Sequence, residues 1–165
     1  MAASSSEAFV KLPVQAPRAV PETSPLIERL VSVHGATWVD EKTIDAWAAE
    51  GGDRVVLFAG DAVQFPEGQD VAVVLPELQR CFPGRFKVAV VPREIEQDLA
   101  KRYGSQRWPT LLFLRDGQYV TTLCGMHDWD EYVQEMARAL AMPISRAPTI
   151  GIPVVSATAS GTSCH

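Results

Sequence analysis

The fold is decided by residues 103–125, which read YGSQRWPTLLFLRDGQYVTTLCG. The Trp108-Pro109 pair favours an extended or turned backbone, because the proline ring crowds the residue before it. The apolar run that follows, residues 110–114, has the length of a buried strand. Asp116-Gly117 predicts a tight hairpin turn, and residues 119–123 then supply the returning strand. A proline directly before a core strand is unusual, because it cannot donate a hydrogen bond to the sheet and is tolerated mainly at strand starts.

Upstream of this stretch, the pattern predicts a strand–helix–strand unit. The continuous apolar run Val55–Ala59 is typical of a central strand that is buried on both faces. A helix follows, with apolar residues at helical spacing from Val71 to Phe82 and with Pro76 inside it. We expect Asp70 to cap this helix. A further apolar run, Phe86–Val91, predicts the next strand.

The complete predicted order is helix, strand, helix, strand, helix, strand, helix, strand, strand, helix. Helices on both faces of a central mixed sheet make a three-layer α/β/α fold of the α/β class. The last helix is expected to begin after Asp128 and to turn Trp129 inward. We expect this domain to span residues 26–142, between a flexible Pro/Ser-rich tail at 1–25 and a disordered tail at 143–165.

Composition fits one globular domain. The apolar fraction of 47% and the charged fraction of 21% are ordinary for such a chain. No stretch reaches the roughly 18 consecutive apolar residues of a membrane span, so membrane insertion is not expected. Residues 1–25 contain no apolar segment of a secretory signal, which favours a cytoplasmic location. The net charge of −5 disfavours nucleic acid and anionic membranes, and it suits either simple solubility or a basic partner.

The three cysteines, Cys81, Cys124 and Cys164, are widely spaced and form no Cys-x-x-Cys pair. This pattern argues against a disulfide framework and against a zinc knuckle. Cys124 and His127 have a Cys-x-x-His spacing, but two ligands are too few for a structural zinc. A buried inert thiol is the commoner interpretation of Cys124, and Cys81 is expected to be partly buried and unreactive. We therefore expect no metal and no cofactor.

The order of elements resembles that of thioredoxin. Tyr103-Gly104, Pro109-Thr110 and Asp116-Gly117 lie where that family has its corresponding residues, and Pro76 matches the proline inside thioredoxin's active-site helix. Counting back from Pro76 places the redox Cys-x-x-Cys at residues 68–71, which here are Gly, Gln, Asp and Val. Thiol exchange needs a thiolate nucleophile and a resolving thiol. The resemblance therefore implies a thioredoxin-like fold without redox chemistry, and we expect no enzymatic activity.

A narrower resemblance is carried by motifs spread between Trp38 and Leu140. These motifs are Leu57-Phe58-Ala59-Gly60-Asp61, Phe65-Pro66-Glu67, Leu75-Pro76-Glu77-Leu78-Gln79-Arg80, Phe82-Pro83, Trp108-Pro109-Thr110 and Gly125-Met126-His127-Asp128-Trp129. They resemble the HupG/HoxO/HyaE family of hydrogenase expression proteins. The resemblance implies a cytoplasmic accessory protein for maturation of the small subunit of uptake [NiFe]-hydrogenase. It also implies binding to the twin-arginine (Tat) signal peptide of the small-subunit precursor before export, and other hydrogenase maturation proteins are a further class of expected partner.

The hypothesised peptide site lies beside the Trp108-Pro109 pair. In thioredoxins the backbone of the residue before this proline pairs with an extended peptide, whereas plain core packing is the alternative role for Trp108. Carboxylates near the groove would pair with the arginines of the signal, and an ordinary solvated face is the alternative for each of them. The hypothesised peptide-binding residues are Asp61, Glu67, Gly68, Asp70, Trp108, Pro109, His127 and Asp128.

The predicted function is therefore that of a non-enzymatic assembly chaperone. Two alternatives from other classes stay open. One is a thiol–disulfide oxidoreductase that uses a single cysteine, Cys124 or Cys81. The other is a scaffold that bridges other hydrogenase maturation factors without contacting the signal peptide.

Overall fold

A five-stranded mixed sheet forms the centre of the fold in the computed structural model, which describes residues 23–149. In chain order the strands are β1 (Thr37–Trp38), β2 (Asp53–Phe58), β3 (Phe86–Val90), β4 (Thr110–Arg115) and β5 (Gln118–Cys124). Their spatial order is β1-β3-β2-β4-β5. The first three strands are mutually parallel, whereas β4 runs antiparallel to both β2 and β5.

Five α-helices cover the two faces of this sheet. They are α1 (Pro25–Ser32), α2 (Ile44–Ala49), α3 (Glu67–Cys81), α4 (Glu96–Arg102) and α5 (Trp129–Ala141), with a 3₁₀ turn at Arg93–Ile95 before α4. The helices α1, α3 and α5 share one apolar core with the sheet, and α2 and α4 share the other. This arrangement confirms the predicted three-layer α/β/α fold. Among the helices of residues 23–149, none combines the length and the apolar character needed to cross a bilayer.

The central strand β2 contributes to both cores. Val55 and Leu57 pack against the layer that contains α3, whereas Val56 and Phe58 pack against the layer that contains α2 and α4. This division follows from the strand geometry, because successive side chains point to opposite faces of a sheet. All four side chains are at most 1% exposed, so the prediction of a strand buried on both faces is confirmed.

The predicted hairpin is present, and its turn has the expected backbone. Asp116 and Gly117 have φ angles of 51° and 84°, as a two-residue turn with two left-handed residues requires. The Asp116 carboxylate accepts a hydrogen bond of 2.7 Å from the backbone N–H of Gly52, which ties the turn to the chain between α2 and β2. The Trp108-Pro109 peptide bond at the other end of β4 is cis.

Two predictions about helix ends are wrong. Asp70 does not cap α3, because the helix begins at Glu67 and Asp70 lies exposed within its first turn. The positive end of the helix dipole favours an acidic side chain at either position, so residue type does not distinguish them. Trp129 does not turn inward: it is the first residue of α5 and 43% exposed. The buried face of α5 starts at Tyr132.

Packing continues beyond the predicted domain boundary at residue 142. The backbone N–H of Ser145 donates to the Tyr119 carbonyl at 2.8 Å, and the Ser145 hydroxyl donates to the Val120 carbonyl at 2.9 Å. Pro148 lies against Gly104, at the end of α4. Residues 143–149, expected to belong to a disordered tail, are therefore held against β5 and α4. The remainder of that predicted tail and nearly all of the predicted N-terminal tail lie outside the described residues.

Candidate functional site

Trp108 lies at the edge of a surface groove, which it borders together with Phe65, Cys124 and Gly125. The Trp108 and Phe65 rings stack, with centroids 6.0 Å apart and an angle of 28° between their planes. On its inner edge Trp108 lies so close to Gly60 that a Cβ there would be 2.8 Å from Trp108 Cδ1. The side chain is half-buried. Its inner edge is therefore packed against the chain and its outer edge borders the groove.

Asp61 does not line the groove, but it lines a neighbouring cavity that shares Phe65 and Trp108 with it. Its carboxylate accepts hydrogen bonds from the backbone N–H groups of Val63, at 2.7 Å, and of Gln64, at 3.3 Å. It also forms an ion pair of 3.3 Å with Arg93. These contacts, and first of all the N–H of Val63, lower the pKa of Asp61 below its ordinary value. Asp61 is therefore an anchored carboxylate at neutral pH.

The start of α3 carries three of the predicted site residues. Glu67 and Asp70 are exposed in the first turn, where the helix dipole favours their charge. Gly68 is buried instead, and a Cβ at this position would lie 2.0 Å from the backbone oxygen of Ala59. Gly68 thus allows α3 to approach the end of β2, and it presents no side chain to a ligand.

His127 and Asp128 form the turn into α5. The Nε2 atom of His127 lies 2.8 Å from the Cys124 carbonyl oxygen, and its ring meets Tyr132 edge-on with a centroid distance of 5.4 Å. Asp128 is exposed and forms a capping box with Glu131 at the start of α5. The geometry therefore gives His127 a role in holding the turn, whereas the Asp128 carboxylate caps the first turn of α5.

Tyr132 connects this turn to the start of α3. Its hydroxyl donates to the Gly125 carbonyl at 3.3 Å. Burial raises the pKa of Tyr132, and the negative charge of the nearby Asp70 raises it further. The charge of Asp70, in the first turn of α3, therefore acts on Tyr132 of α5. Asp61, Trp108 and Pro109 form a second group, on the side of Phe65 and Gly60.

Within the described residues, Cys81 and Cys124 are both free of disulfide bonds. Cys124 is half-buried, and its sulfur accepts a 3.4 Å hydrogen bond from the Thr110 hydroxyl. Cys81 is exposed, so the prediction that it is partly buried is wrong; it is the last residue of α3, where a thiolate is disfavoured by the helix dipole. Within residues 23–149, no three His, Cys, Asp or Glu side chains are grouped as metal ligands.

The sequence interpretation missed Glu96, the first residue of α4. Its side chain is buried, at 2% exposed, and its Oε2 atom accepts a 2.9 Å hydrogen bond from the backbone N–H of Gly60. Its Oε1 atom has no hydrogen-bond partner among residues 23–149. Burial raises the pKa of Glu96 to about 7, while the Gly60 N–H and the charge of Arg93 partly oppose that rise.

The sequence pattern around Glu96 indicates that this residue is unusual. Glu96 shares a helical stripe with Leu99, Ala100 and Tyr103, at spacings of three, four and seven residues, and all three are buried. A carboxylate on the apolar stripe of a helix predicts either a buried polar contact or a site. Only the fold shows which groups lie opposite it.

Comparisons with known sequences agree with the motifs. The family described as "Hydrogenase-1 expression protein HyaE" matches residues 26–132. The chain is 57% identical over 164 residues to the hydrogenase expression/formation protein HoxO of Cupriavidus necator, a match that covers 98% of this chain and 99% of that protein. It is 37% identical over 126 residues to the hydrogenase expression/formation protein HupG of Bradyrhizobium diazoefficiens, covering 74% of this chain and 85% of that protein.

Among solved structures, the chain is similar to a thioredoxin variant from Halobacterium salinarum NRC-1. The TM-score is 0.54 at 22% sequence identity, and the match covers 64% of this chain and 90% of that chain. At this identity the similarity concerns the fold alone. Together with the mixed five-stranded sheet, it confirms the predicted thioredoxin-like fold.

Proposed function

The chain belongs to the hydrogenase expression protein family described as HyaE, and we propose that it is an assembly chaperone for the small-subunit precursor of an uptake [NiFe]-hydrogenase. It binds the precursor's twin-arginine signal peptide in the cytoplasm, before export. The observation that carries the proposal is the groove bordered by Phe65, Trp108, Cys124 and Gly125, in a thioredoxin-like fold whose residues 68–71 contain no cysteine.

The arginines of the signal would meet the exposed carboxylates near the groove. Glu67 and Asp70 project from the first turn of α3, and Asp61 is anchored in the wall of the neighbouring cavity. Guanidinium groups pair with carboxylates in a bidentate geometry, so such contacts orient a peptide as well as attract it. The net charge of −5 also favours encounter with a basic segment.

Exposed apolar side chains supply a surface for the apolar part of the signal. Met126 and Trp129, which are 42% and 43% exposed, flank the His127-Asp128 turn. Val63, 88% exposed, lies two residues from Asp61. A contiguous exposed apolar patch marks an interaction surface, and the proposal requires Met126 and Trp129 to form part of one. The sequence alone did not locate such a surface.

Binding of the purified chain to the precursor tests the proposal. Isothermal titration should give a measurable dissociation constant with the intact signal, and no binding with a precursor whose signal is deleted. The double variant Glu67→Gln/Asp70→Asn should weaken binding by about tenfold, because each exposed ion pair contributes up to about 1 kcal/mol.

The matched control is Glu41→Gln/Asp98→Asn, which removes two exposed carboxylates from the α2 and α4 side of the molecule. Its dissociation constant should equal that of the wild type. Binding that is indifferent to the signal peptide would refute the proposal and would favour a scaffold. Equal weakening by both double variants would show that net charge, rather than the groove, governs the interaction.

A further inference from the structure

A cavity of about 320 Å³ lies between α1 and the carboxyl ends of the parallel strands. This end of a parallel sheet is where ligands commonly bind in α/β folds. The volume falls in the range of pockets that hold small ligands. Its walls are largely apolar, and they include Ile27, Trp38, Ala59, Val90 and Val91.

The polar side of this cavity carries an excess of negative charge once Glu96 is ionised, above a pH of about 7. Glu96 lines it, and the Oε1 atom of this buried side chain makes no hydrogen bond of regular geometry within the described part of the chain, although the Trp108 side chain and the Ala59 backbone lie near enough to lower the pKa of the carboxyl. Asp61 and Arg93 also line it and pair with each other at 3.3 Å. Two carboxylates therefore face one guanidinium, and one negative charge is left over when Glu96 is ionised.

We infer that this cavity binds the guanidinium group of an arginine side chain. A buried carboxylate with a free oxygen is costly unless a donor pairs with it. Arginine fits because its planar fork carries several N–H donors and its charge persists at all relevant pH values. The aliphatic stem of an arginine would lie along Ile27 and Trp38, and the indole of Trp38 adds a surface on which guanidinium groups stack.

Lysine and neutral side chains fit less well. The lysine ammonium is strongly hydrated and loses more on entering an apolar cavity. A neutral side chain would leave the charge of Glu96 unbalanced. The identity of the donor as an arginine of the signal peptide rests on the proposed function, whereas the chemistry of the cavity does not.

The first experiment uses a small probe and the full chain. N-acetyl-arginine amide is titrated into the ¹⁵N-labelled protein at pH 8, and the amide shifts of Gly60 and Asp61 are followed. N-acetyl-citrulline amide is the matched control, because it has the same shape without the charge. We expect the arginine probe to bind at least about tenfold more tightly than citrulline, which corresponds to about 1.4 kcal/mol.

Variants then connect the binding to Glu96. Glu96→Gln retains an oxygen for the Gly60 N–H and should abolish the preference for arginine, whereas Glu94→Gln, an exposed neighbour, should leave it unchanged. Arg93→Gln removes the competing cation and should strengthen binding. Equal affinity of wild type and Glu96→Gln for the arginine probe would overturn the inference, and so would weaker binding by Arg93→Gln.

The second experiment separates this inference from the proposed function. A synthetic signal peptide is titrated into wild type and Glu96→Gln, with the arginine pair intact or replaced by citrulline. Binding to the wild type that is lost in Glu96→Gln supports both. Equal binding to both proteins refutes the cavity and leaves the proposed function standing. If the arginine probe binds through Glu96 but the signal peptide does not bind, the cavity stands and the proposed function fails.

Discussion

Replacing Glu96 by glutamine should make the stability of the fold less dependent on pH. The pKa of Glu96 rises from 4.5, the value of an unperturbed glutamate, to about 7 in the folded chain, chiefly because its carboxyl is buried. The folded state therefore favours the protonated form. The stabilisation that accompanies protonation is fully present below about pH 4.5, and it is lost as the pH rises through 7.

The size of the effect follows from the two pKa values. One pKa unit corresponds to about 1.4 kcal/mol, so the rise from 4.5 to about 7 amounts to about 3 kcal/mol of unfolding free energy. Glutamine cannot ionise, and its carbonyl oxygen still accepts the hydrogen bond from Gly60. The variant should therefore resemble the wild type in stability only below about pH 4.5, exceed it by about 1 kcal/mol at pH 5, and exceed it by about 3 kcal/mol at pH 8.

Urea denaturation at pH 5, 6, 7 and 8, followed by tryptophan fluorescence, measures this difference. Glu94→Gln is the control, because Glu94 is exposed in the 3₁₀ turn that precedes Glu96. The difference between Glu96→Gln and wild type should widen steadily with pH, whereas that of the control should not. A difference that is constant between pH 5 and 8 would refute an ionisation of Glu96 near neutrality.

Three further predictions concern the supports of the site, and urea denaturation at pH 7 measures each. Gly68→Ala should cost about 1–3 kcal/mol, since its Cβ would lie 2.0 Å from the Ala59 oxygen; an unchanged midpoint would mean that α3 can move away freely. Asp128→Ala should cost about 1 kcal/mol through loss of the α5 capping box, and Asp128→Ser should restore most of it. Arg115→Lys should cost about 2 kcal/mol although the charge is kept, because the guanidinium pairs with Asp53 at 2.7 Å and also donates to carbonyls at the end of α5. A loss below about 0.5 kcal/mol would contradict that role, since surface substitutions have effects of this size.

Local backbone chemistry was the part of the fold that the sequence predicted best. Asp116-Gly117 favours one kind of turn wherever it occurs between apolar strands, so the hairpin did not depend on distant contacts. The helix α3 was likewise predictable, because its apolar residues keep a regular helical spacing although Pro76 lies inside it. These features are set by the residues themselves and by their near neighbours.

The site was harder to predict, because it depends on what lies across from each residue. The periodicity of α5 did not show that its first residue, Trp129, stays 43% exposed. Gly68 was predicted to bind a peptide, yet its role comes from the close approach of the Ala59 backbone. Glu96 was missed for the same reason: burial and the Gly60 N–H decide its chemistry, and they come from β2 and the loop after it.

The segment that follows α5 also affects how copies of this chain meet one another. An uncovered edge strand offers a template on which a strand from another molecule can add, which is a common route to aggregation. One edge of this sheet is β1, which has only two residues. The other edge is β5, where Ser145 already donates hydrogen bonds to the carbonyls of Tyr119 and Val120. Within the described residues, one edge is therefore short and the first part of the other is covered by Ser145. A chain cut after Met142 would lose Ser145 and uncover this part of β5. We expect such a chain to self-associate during expression before any defect in the groove is detected.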